Sequence, residues 1–333
     1  MLQPQAFSVR SGVPFGNAFV LERMLGRGGM GQVWQASHLE TGADVALKFM
    51  NEDAFVFLDS RGLFAREMRA TTAVRSPNVV ECIAAVDDVE SPYMVLERLG
   101  GENLATYLNR TGPLPFPLAR QVLGQLCESV RATHAAGVVH CDVKCNNIIL
   151  SFERERGPVV KLIDFGLARR RNEAALTSDA RPSGTVYAMS PERMLTPTNV
   201  DEADDYWGVA VVAYQLITGA LPFAGHSMAA VLCAIATRKL LDASCLRNGA
   251  TPQIDAFFAK AFHRRREERF STLDEMATTM DCLLADAARA ALPGTLERSL
   301  PVEVPRFACT SAGAPTVRFA SAVNMCALRR LCA

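Results

Sequence analysis

The sequence predicts an α+β chain in two lobes, a small β-rich lobe with one main helix followed by a larger, mainly helical lobe. Three observations carry that expectation. Strand-like runs crowd residues 19–50 around a glycine-rich turn. A single helical segment around Phe64–Ala70 separates them from another strand-like run at Tyr93–Leu96. Beyond Gly100 the apolar spacing turns helical, as in residues 117–134, with one hairpin pattern set into it. A chain of 333 residues, 49% of them apolar, has material for a large core. Lys plus Arg equals Asp plus Glu at 35 each, so no global field argues for nucleic acid and no acidic block reads as a solvating tail.

The cysteines (82, 127, 141, 145, 233, 245, 282, 309, 326 and 332) are scattered, without the dense spacing of a disulfide scaffold. Met1–Arg10 is polar and lacks the apolar core of a signal peptide. A reduced, cytoplasmic protein is therefore expected. The longest apolar run, Trp207–Phe223, is interrupted by Gln215, Thr218, Gly219 and Pro222. It reads as a buried core helix and not as a membrane span.

In the first lobe, Phe19-Val20-Leu21 leads through Leu25 into Gly26-Arg27-Gly28-Gly29-Met30-Gly31-Gln32-Val33-Trp34. Glycines at this spacing also open the helix of dinucleotide-binding folds. Here the following residues alternate as a strand to Ser37, Thr41-Gly42 is a turn, and Val45-Ala46-Leu47-Lys48-Phe49 is β-rich again. The glycines therefore form a hairpin tip whose N–H groups lie over phosphates, an approach that a Cβ would block. The apolar neighbours of Lys48 draw its stem inward, and a buried ammonium needs an anion. Phosphate supplies one. Glu67 supplies another, from a helix with Phe64, Met68 and Thr71 on its inner face. Tyr93–Leu96 is a buried strand, and Glu97–Gly101 is the hinge, where backbone groups would read an adenine edge.

In the second lobe, Leu118, Val122, Leu126, Cys127 and Val130 share one face of a helix that Gly137 ends. Val138-Val139 then leads into His140-Cys141-Asp142-Val143-Lys144-Cys145-Asn146-Asn147. Residues 147–150 and 159–163 form a hairpin that exits into Asp164-Phe165-Gly166, bringing Asp142, Asn147 and Asp164 near one point. Phosphoryl transfer needs such a set. Asp142 would orient a hydroxyl and Lys144 would neutralise the transferring group. Asn147 and Asp164 are hard oxygen ligands suited to Mg²⁺. Farther on, Ile254, Phe257, Phe258 and Ala261 form one core stripe, and Leu273, Met276, Met280 and Leu283 another.

These motifs resemble those of the eukaryotic-type protein kinase superfamily, and the Gly-Arg-Gly-Gly-Met-Gly loop is similar to that of bacterial serine/threonine protein kinases. The resemblance covers about residues 19–285 and implies a bilobal protein-kinase-like fold. An N-lobe would span 19–99 and a C-lobe 100–285, between an N-terminal extension (1–18) and a disordered or docking tail (286–333). The implied cofactors are ATP and Mg²⁺, with Mn²⁺ as a substitute. Leu25, Gly26, Gly28, Gly31, Val33, Ala46, Lys48, Glu67, Glu97, Leu99 and Ile149 would bind the nucleotide, with Val33 and Ala46 above the adenine and Ile149 below. Glu192, in Met189-Ser190-Pro191-Glu192, would close the activation segment and form a buried ion pair with Arg269. Asp205 would open the central helix and cap the backbone of the catalytic loop. Thr185 would contact Lys144, which favours a serine or threonine acceptor. Thr177 and Ser178, near Arg169-Arg170-Arg171, are the candidate phosphosites. Protein substrates are the implied partners, with homodimerisation serving autophosphorylation.

Two positions depart from the family pattern. Cys141 stands where most relatives have an arginine, a cation held beside the catalytic Asp until a phosphorylated loop neutralises it. Cysteine cannot do this, so a weaker dependence on loop phosphorylation is expected. Cys145 stands in place of the usual proline. An apolar setting and the adjacent Asp should raise the pKa of Cys141, which favours incidental thiols over a redox pair. Three readings are open: an active serine/threonine kinase, a nucleotide-binding scaffold without transfer, and a small-molecule kinase of the same fold. The peptide-seating segment Gly184–Glu192 counts against the last.

Overall fold

The first lobe is an antiparallel sheet of six strands: β1 (Pro14–Phe15), β2 (Phe19–Arg27), β3 (Gly31–His38), β4 (Asp44–Met50), β5 (Cys82–Val86) and β6 (Tyr93–Glu97). Their order across the sheet is β1-β2-β3-β4-β6-β5. In this computed structural model the described residues are 11–12, 14–27, 31–50, 60–87, 92–170, 186–225, 227–237 and 240–290. Along β4, Val45, Leu47 and Phe49 join a cluster with Phe15, Phe19, Leu21, Trp34 and Val95. Met50 joins Phe64, Met68, Cys82 and Met94, beneath helix α1 (Ser60–Ala73). Alternation therefore puts Lys48 on the α1 side of the sheet. Packing begins ahead of Phe19: Phe15 of β1 meets the rings of Phe49 at 4.7 Å and Tyr93 at 5.0 Å. A two-residue strand is too short to show a period in the sequence.

The second lobe begins with β7 (Glu102–Asn103), α2 (Leu104–Thr111), α3 (Phe116–Ala135) and β8 (Val138–Val139). The hairpin β9 (Ile148–Glu153) and β10 (Gly157–Leu162) pairs with β7, and β11 (Arg169–Arg170) pairs with β8. Six α-helices follow β11 among the described residues: α4 (Pro191–Leu195), α5 (Glu202–Thr218), α6 (Met228–Thr237), α7 (Ala243–Leu246), α8 (Pro252–Ala261) and α9 (Leu273–Ala290). No described helix is long and apolar enough to cross a membrane. The lobes are joined at Asn78–Val80. Val80 N–H donates to the Leu162 carbonyl at 3.0 Å, Leu162 N–H donates to the Asn78 carbonyl at 2.8 Å, and Asn78 Nδ2 donates to Gln125 Oε1 at 2.9 Å.

Helix α5 is buried on almost every side, from Trp207 through Ile217. The expectation that Asp205 opens this helix is corrected. Asp201 is the N-cap, accepting from Ala203 N–H, while Asp204 accepts from Asp201 N–H in a capping box. Asp205 lies in the first turn, four residues after the N-cap, and its carboxylate bonds the loop after β8. In α9, Leu284 and not Leu283 continues the buried stripe of Leu273, Met276 and Met280, and Ala287 extends it past residue 285. A step of four from Met280 keeps the stripe on one face at 3.6 residues per turn.

Gly208 explains how closely α5 backs onto the loop at 140–147. A Cβ there would sit 2.7 Å from the Val143 carbonyl oxygen and 2.8 Å from Val143 Cβ. We predict that Gly208→Ala destabilises the fold by about 1–3 kcal/mol through overpacking, measured as a lowered denaturation midpoint. An unchanged midpoint would contradict so close an approach.

Candidate active site

Lys48 reaches from β4 to carboxylates of both lobes. Its ammonium donates to Glu67 Oε1 of α1 and, at 2.9 Å, to Asp164 Oδ1 beyond β10. Burial alone would lower the pKa of Lys48, but Asp164 and Glu67 outweigh it and raise it. Lys48 holds the Asp164 carboxyl down at about 2. Burial pushes the Glu67 carboxyl up against the pull of Lys48, and its Oε2 is buried without a hydrogen-bond partner. One ammonium thus serves two carboxylates. The surplus negative charge falls toward Asp164, whose side chain is 45% exposed.

A second cluster hangs from the loop after β8. Asp142 Oδ2 accepts from Lys144 Nζ at 2.6 Å and from Asn147 Nδ2 at 2.8 Å, and Asn147 Nδ2 also donates to the Asp142 carbonyl at 2.9 Å. His140 braces this loop from inside. Its Nδ1 accepts from Asp142 N–H at 3.3 Å, which leaves Nε2 to donate to the Ile163 carbonyl at 3.2 Å. Burial lowers the pKa of His140, in keeping with that neutral tautomer. The His140 ring packs edge-on against Phe165 at 4.7 Å, linking the loop to the segment that carries Asp164. Asp205 caps the loop backbone: Oδ2 accepts from His140 N–H at 2.8 Å and Oδ1 from Cys141 N–H at 2.7 Å. Cys141 and Asp164 are the non-glycine residues with positive φ among those described, both at +67°.

The donor set fits a divalent metal on oxygen ligands. Asn147 commits its Nδ2 to Asp142, and neither Asn147 Oδ1 nor Asp164 Oδ2 has a hydrogen-bond partner among the described residues. Those two oxygens could hold a hard cation. The described residues contain no group of three or more His, Cys, Asp or Glu that would form a metal cage by themselves.

The other expected nucleotide residues lie on the facing lobes. Leu25, Gly26 and Val33 belong to the β2–β3 hairpin, Ala46 is on β4 and Ile149 is on β9. Gly31 has a reason other than ligand access: a Cβ there would lie 2.0 Å from the Phe49 carbonyl oxygen of β4. The Glu97 side chain turns away to structural partners, Lys161 Nζ at 2.5 Å and Glu81 N–H at 2.8 Å. The Leu99 carbonyl accepts from Arg98. Gly28, Thr177, Ser178 and Thr185 lie outside the described residues. Glu192 and Arg269 form a two-pronged pair at 2.8 and 3.0 Å, with the guanidinium 4.8 Å from the centre of the Trp207 ring. The pair is half-buried and not fully enclosed, since the Glu192 side chain is 24% exposed.

Sequence reading missed three contributors. His140 served only as the start of a motif, and its bracing partner, the Ile163 carbonyl, lies 23 residues away in the chain. His134, whose Nε2 donates to Asp205 Oδ2 at 2.7 Å, passed as the end of an amphipathic helix. Arg193, 4% exposed, donates to the Cys141 carbonyl, and no local pattern signals so distant a partner. Burial pushes up the Cys141 thiol, as expected, and pushes Cys145 and Cys127 up to about 12. We predict that iodoacetamide applied to the folded protein labels the exposed Cys233, Cys245 and Cys282 and spares Cys127, Cys141 and Cys145. Rapid labelling of Cys141, read by peptide mass mapping, would contradict this burial.

Residues 19–280 match the family described as the protein kinase domain. The serine/threonine-protein kinase PknE of Mycobacterium bovis is 32% identical over 297 residues, 89% of this chain and 51% of PknE. PknH of the same organism is 31% identical over 309 residues, 92% of this chain and 51% of PknH. Pkn1 of Myxococcus xanthus is 31% identical over 284 residues, 84% of this chain and 40% of Pkn1. The chain thus spans about half the length of these relatives or less. Protein kinase domains use ATP and a divalent metal. The match begins at the first residue of β2 and ends within α9, so it takes in both clusters of the site, and the chain belongs to the protein kinase domain family.

Proposed function

We propose that the chain is a serine/threonine protein kinase that transfers the γ-phosphoryl of Mg·ATP to serine or threonine hydroxyls of protein substrates. The observation that carries this reading is Lys48 bound at once to Glu67 and Asp164, which ties the helix of one lobe to the metal-binding carboxylate of the other. Asp142 orients the acceptor hydroxyl and takes its proton. The hydroxyl oxygen bonds to the γ-phosphorus as the bond to the β-phosphate oxygen breaks, and ADP leaves. Lys144, already on Asp142, is placed to meet charge on the transferring group. Asn147 and Asp164 would hold Mg²⁺, which supplies charge neutralisation on the phosphate oxygens. The chemistry is mostly positioning and electrostatics.

The acceptor class rests on Lys144, on Thr185 in the sequence, and on relatives whose names specify serine/threonine kinases. The catalytic unit is assigned to residues 19–285, supported by the matched span of 19–280. Autophosphorylation at Thr177 or Ser178 through homodimerisation belongs to the same proposal, on the strength of the sequence alone. A cytoplasmic setting accords with free thiols at all seven described cysteines.

The test is transfer of labelled phosphate from Mg·ATP to protein acceptors, followed by site mapping. We predict label on serine and threonine, with transfer lowered at least about 100-fold by Asp142→Asn and by Lys48→Met. Undiminished transfer by Asp142→Asn would overturn the assignment. Tight nucleotide binding with no transfer by the wild type would favour a scaffold.

A further inference from the structure

Helix α4 follows the segment 171–185 and is clamped by three neighbouring side chains, each bound to a different element. Ser190 caps the helix and donates through Oγ to Asp204 of α5. Glu192 pairs with Arg269, ahead of α9. Arg193, although only 4% exposed, spends its guanidinium on the backbone carbonyl of Cys141. The peptide unit that precedes Asp142 is thus held from the α4 side, while Asp205 holds the N–H of Cys141 from the α5 side.

Charge makes this contact more than packing. The ionised groups that reach the Cys141 thiol are Arg193 and Arg169 on one side of the balance and Asp205 and Asp204 on the other. Asp205 has three donors of its own and Asp204 accepts from Ser190 and Asp201, so both carboxylates beside the loop are held in place. The side chain at 141 supplies no cation. It is a small thiol donating weakly to the Val139 carbonyl at 3.5 Å, so the positive charge beside this peptide comes from Arg193, which bonds its carbonyl, and from Arg169. Cys141 also sits at φ +67°, a conformation that a non-glycine residue keeps only where its surroundings enforce it. Bonds to both its N–H and its C=O do so.

Resting on the kinase reading above, we propose that Arg193 is a positioning residue for phosphoryl transfer. It supplies from α4 the cation that position 141 lacks, and it holds Asp142 in its working place without a phosphate on residues 171–185. The reaction is unchanged by this role. What changes is the requirement for activation: seating of α4 sets the loop.

The experiment compares full-length wild type, phosphatase-treated wild type, Arg193→Met and Arg193→Lys. Turnover on a protein acceptor, Mg·ATP affinity and amide hydrogen exchange at residues 140–143 are read for each. Expected are phosphatase-treated wild type within about 3-fold of untreated, and Arg193→Met down by about 100-fold in turnover with Mg·ATP affinity within about 3-fold. Arg193→Lys should recover part of the loss, because it keeps the charge without the fork. Exchange at Cys141 should quicken in Arg193→Met. A purely structural role would lower nucleotide affinity in parallel with turnover and gain nothing from lysine. Arg193→Met turning over like wild type would overturn the proposal, as would loss of activity on phosphatase treatment. If the wild type transfers no phosphate at all, the kinase reading fails by itself. In that case unchanged exchange at 140–143 in Arg193→Met still overturns the role of Arg193, and faster exchange supports it.

Discussion

Asp205 presents a carboxylate from the first turn of α5, with side chain fully buried, and accepts hydrogen bonds from His140 N–H, Cys141 N–H and His134 Nε2. Burial of a lone carboxylate would cost several kcal/mol, and by itself would raise its pKa. Here the donors outweigh burial and keep the group low, with His134 the largest of them. The depressed pKa means that this contribution to stability is complete above the ordinary Asp value and is lost as pH falls below it, through the lower value of the folded state. Asp205 also converts the most deeply buried helix of the molecule into the reference frame for the loop that carries Asp142. Gly208, one turn later, lets the same helix lie directly against Val143.

The site divides into two halves with different supports. Lys48, Glu67 and Asp164 depend on how the sheet and α1 of the first lobe sit over the second. Asp142 and Lys144 depend on α5 and, through Arg193, on α4, while Asn147 bonds Asp142 through Nδ2 and belongs to the metal side through Oδ1. His140 and Phe165 connect the halves, since one ring braces the loop and the other precedes Gly166. A change in α1 should therefore disturb the nucleotide side, and a change in α4 or α5 the acceptor side. The two half-sites are separable in measurement because different properties report them: metal-nucleotide affinity on one side, turnover on the other.

Much of this was legible in the sequence because it is local. Strand-like runs mark β2 to β4, a short apolar run marks β6, and the 3.6 period marks α3, α8 and α9. Motif order brought Lys48, Glu67, Asp142, Asn147 and Asp164 into one site. The rest depends on distant partners that no window of sequence contains. Arg193 and Cys141 are 52 residues apart in the chain, and His134 and Asp205 are 71 apart. Gly31 was read as a phosphate contact when the near neighbour is a strand carbonyl. The resemblance marks Asp205 as the helix opener, whereas the capping box at Asp201–Asp204 starts the helix earlier. Leu283 and Leu284 both fall within the tolerance of a 3.6 period, and only packing distinguishes them.

The central claim is that one buried carboxylate on α5 sets the acceptor half of the site while leaving the nucleotide half intact. Asp205→Asn tests it most directly, since asparagine keeps the size and removes one acceptor and the charge. The measurement pairs turnover on a protein acceptor with Mg·ATP affinity under conditions where the variant remains folded. The account predicts turnover lowered by about 100-fold with affinity within about 3-fold of wild type. Equal turnover in Asp205→Asn, or a loss of affinity as large as the loss of turnover, would contradict it.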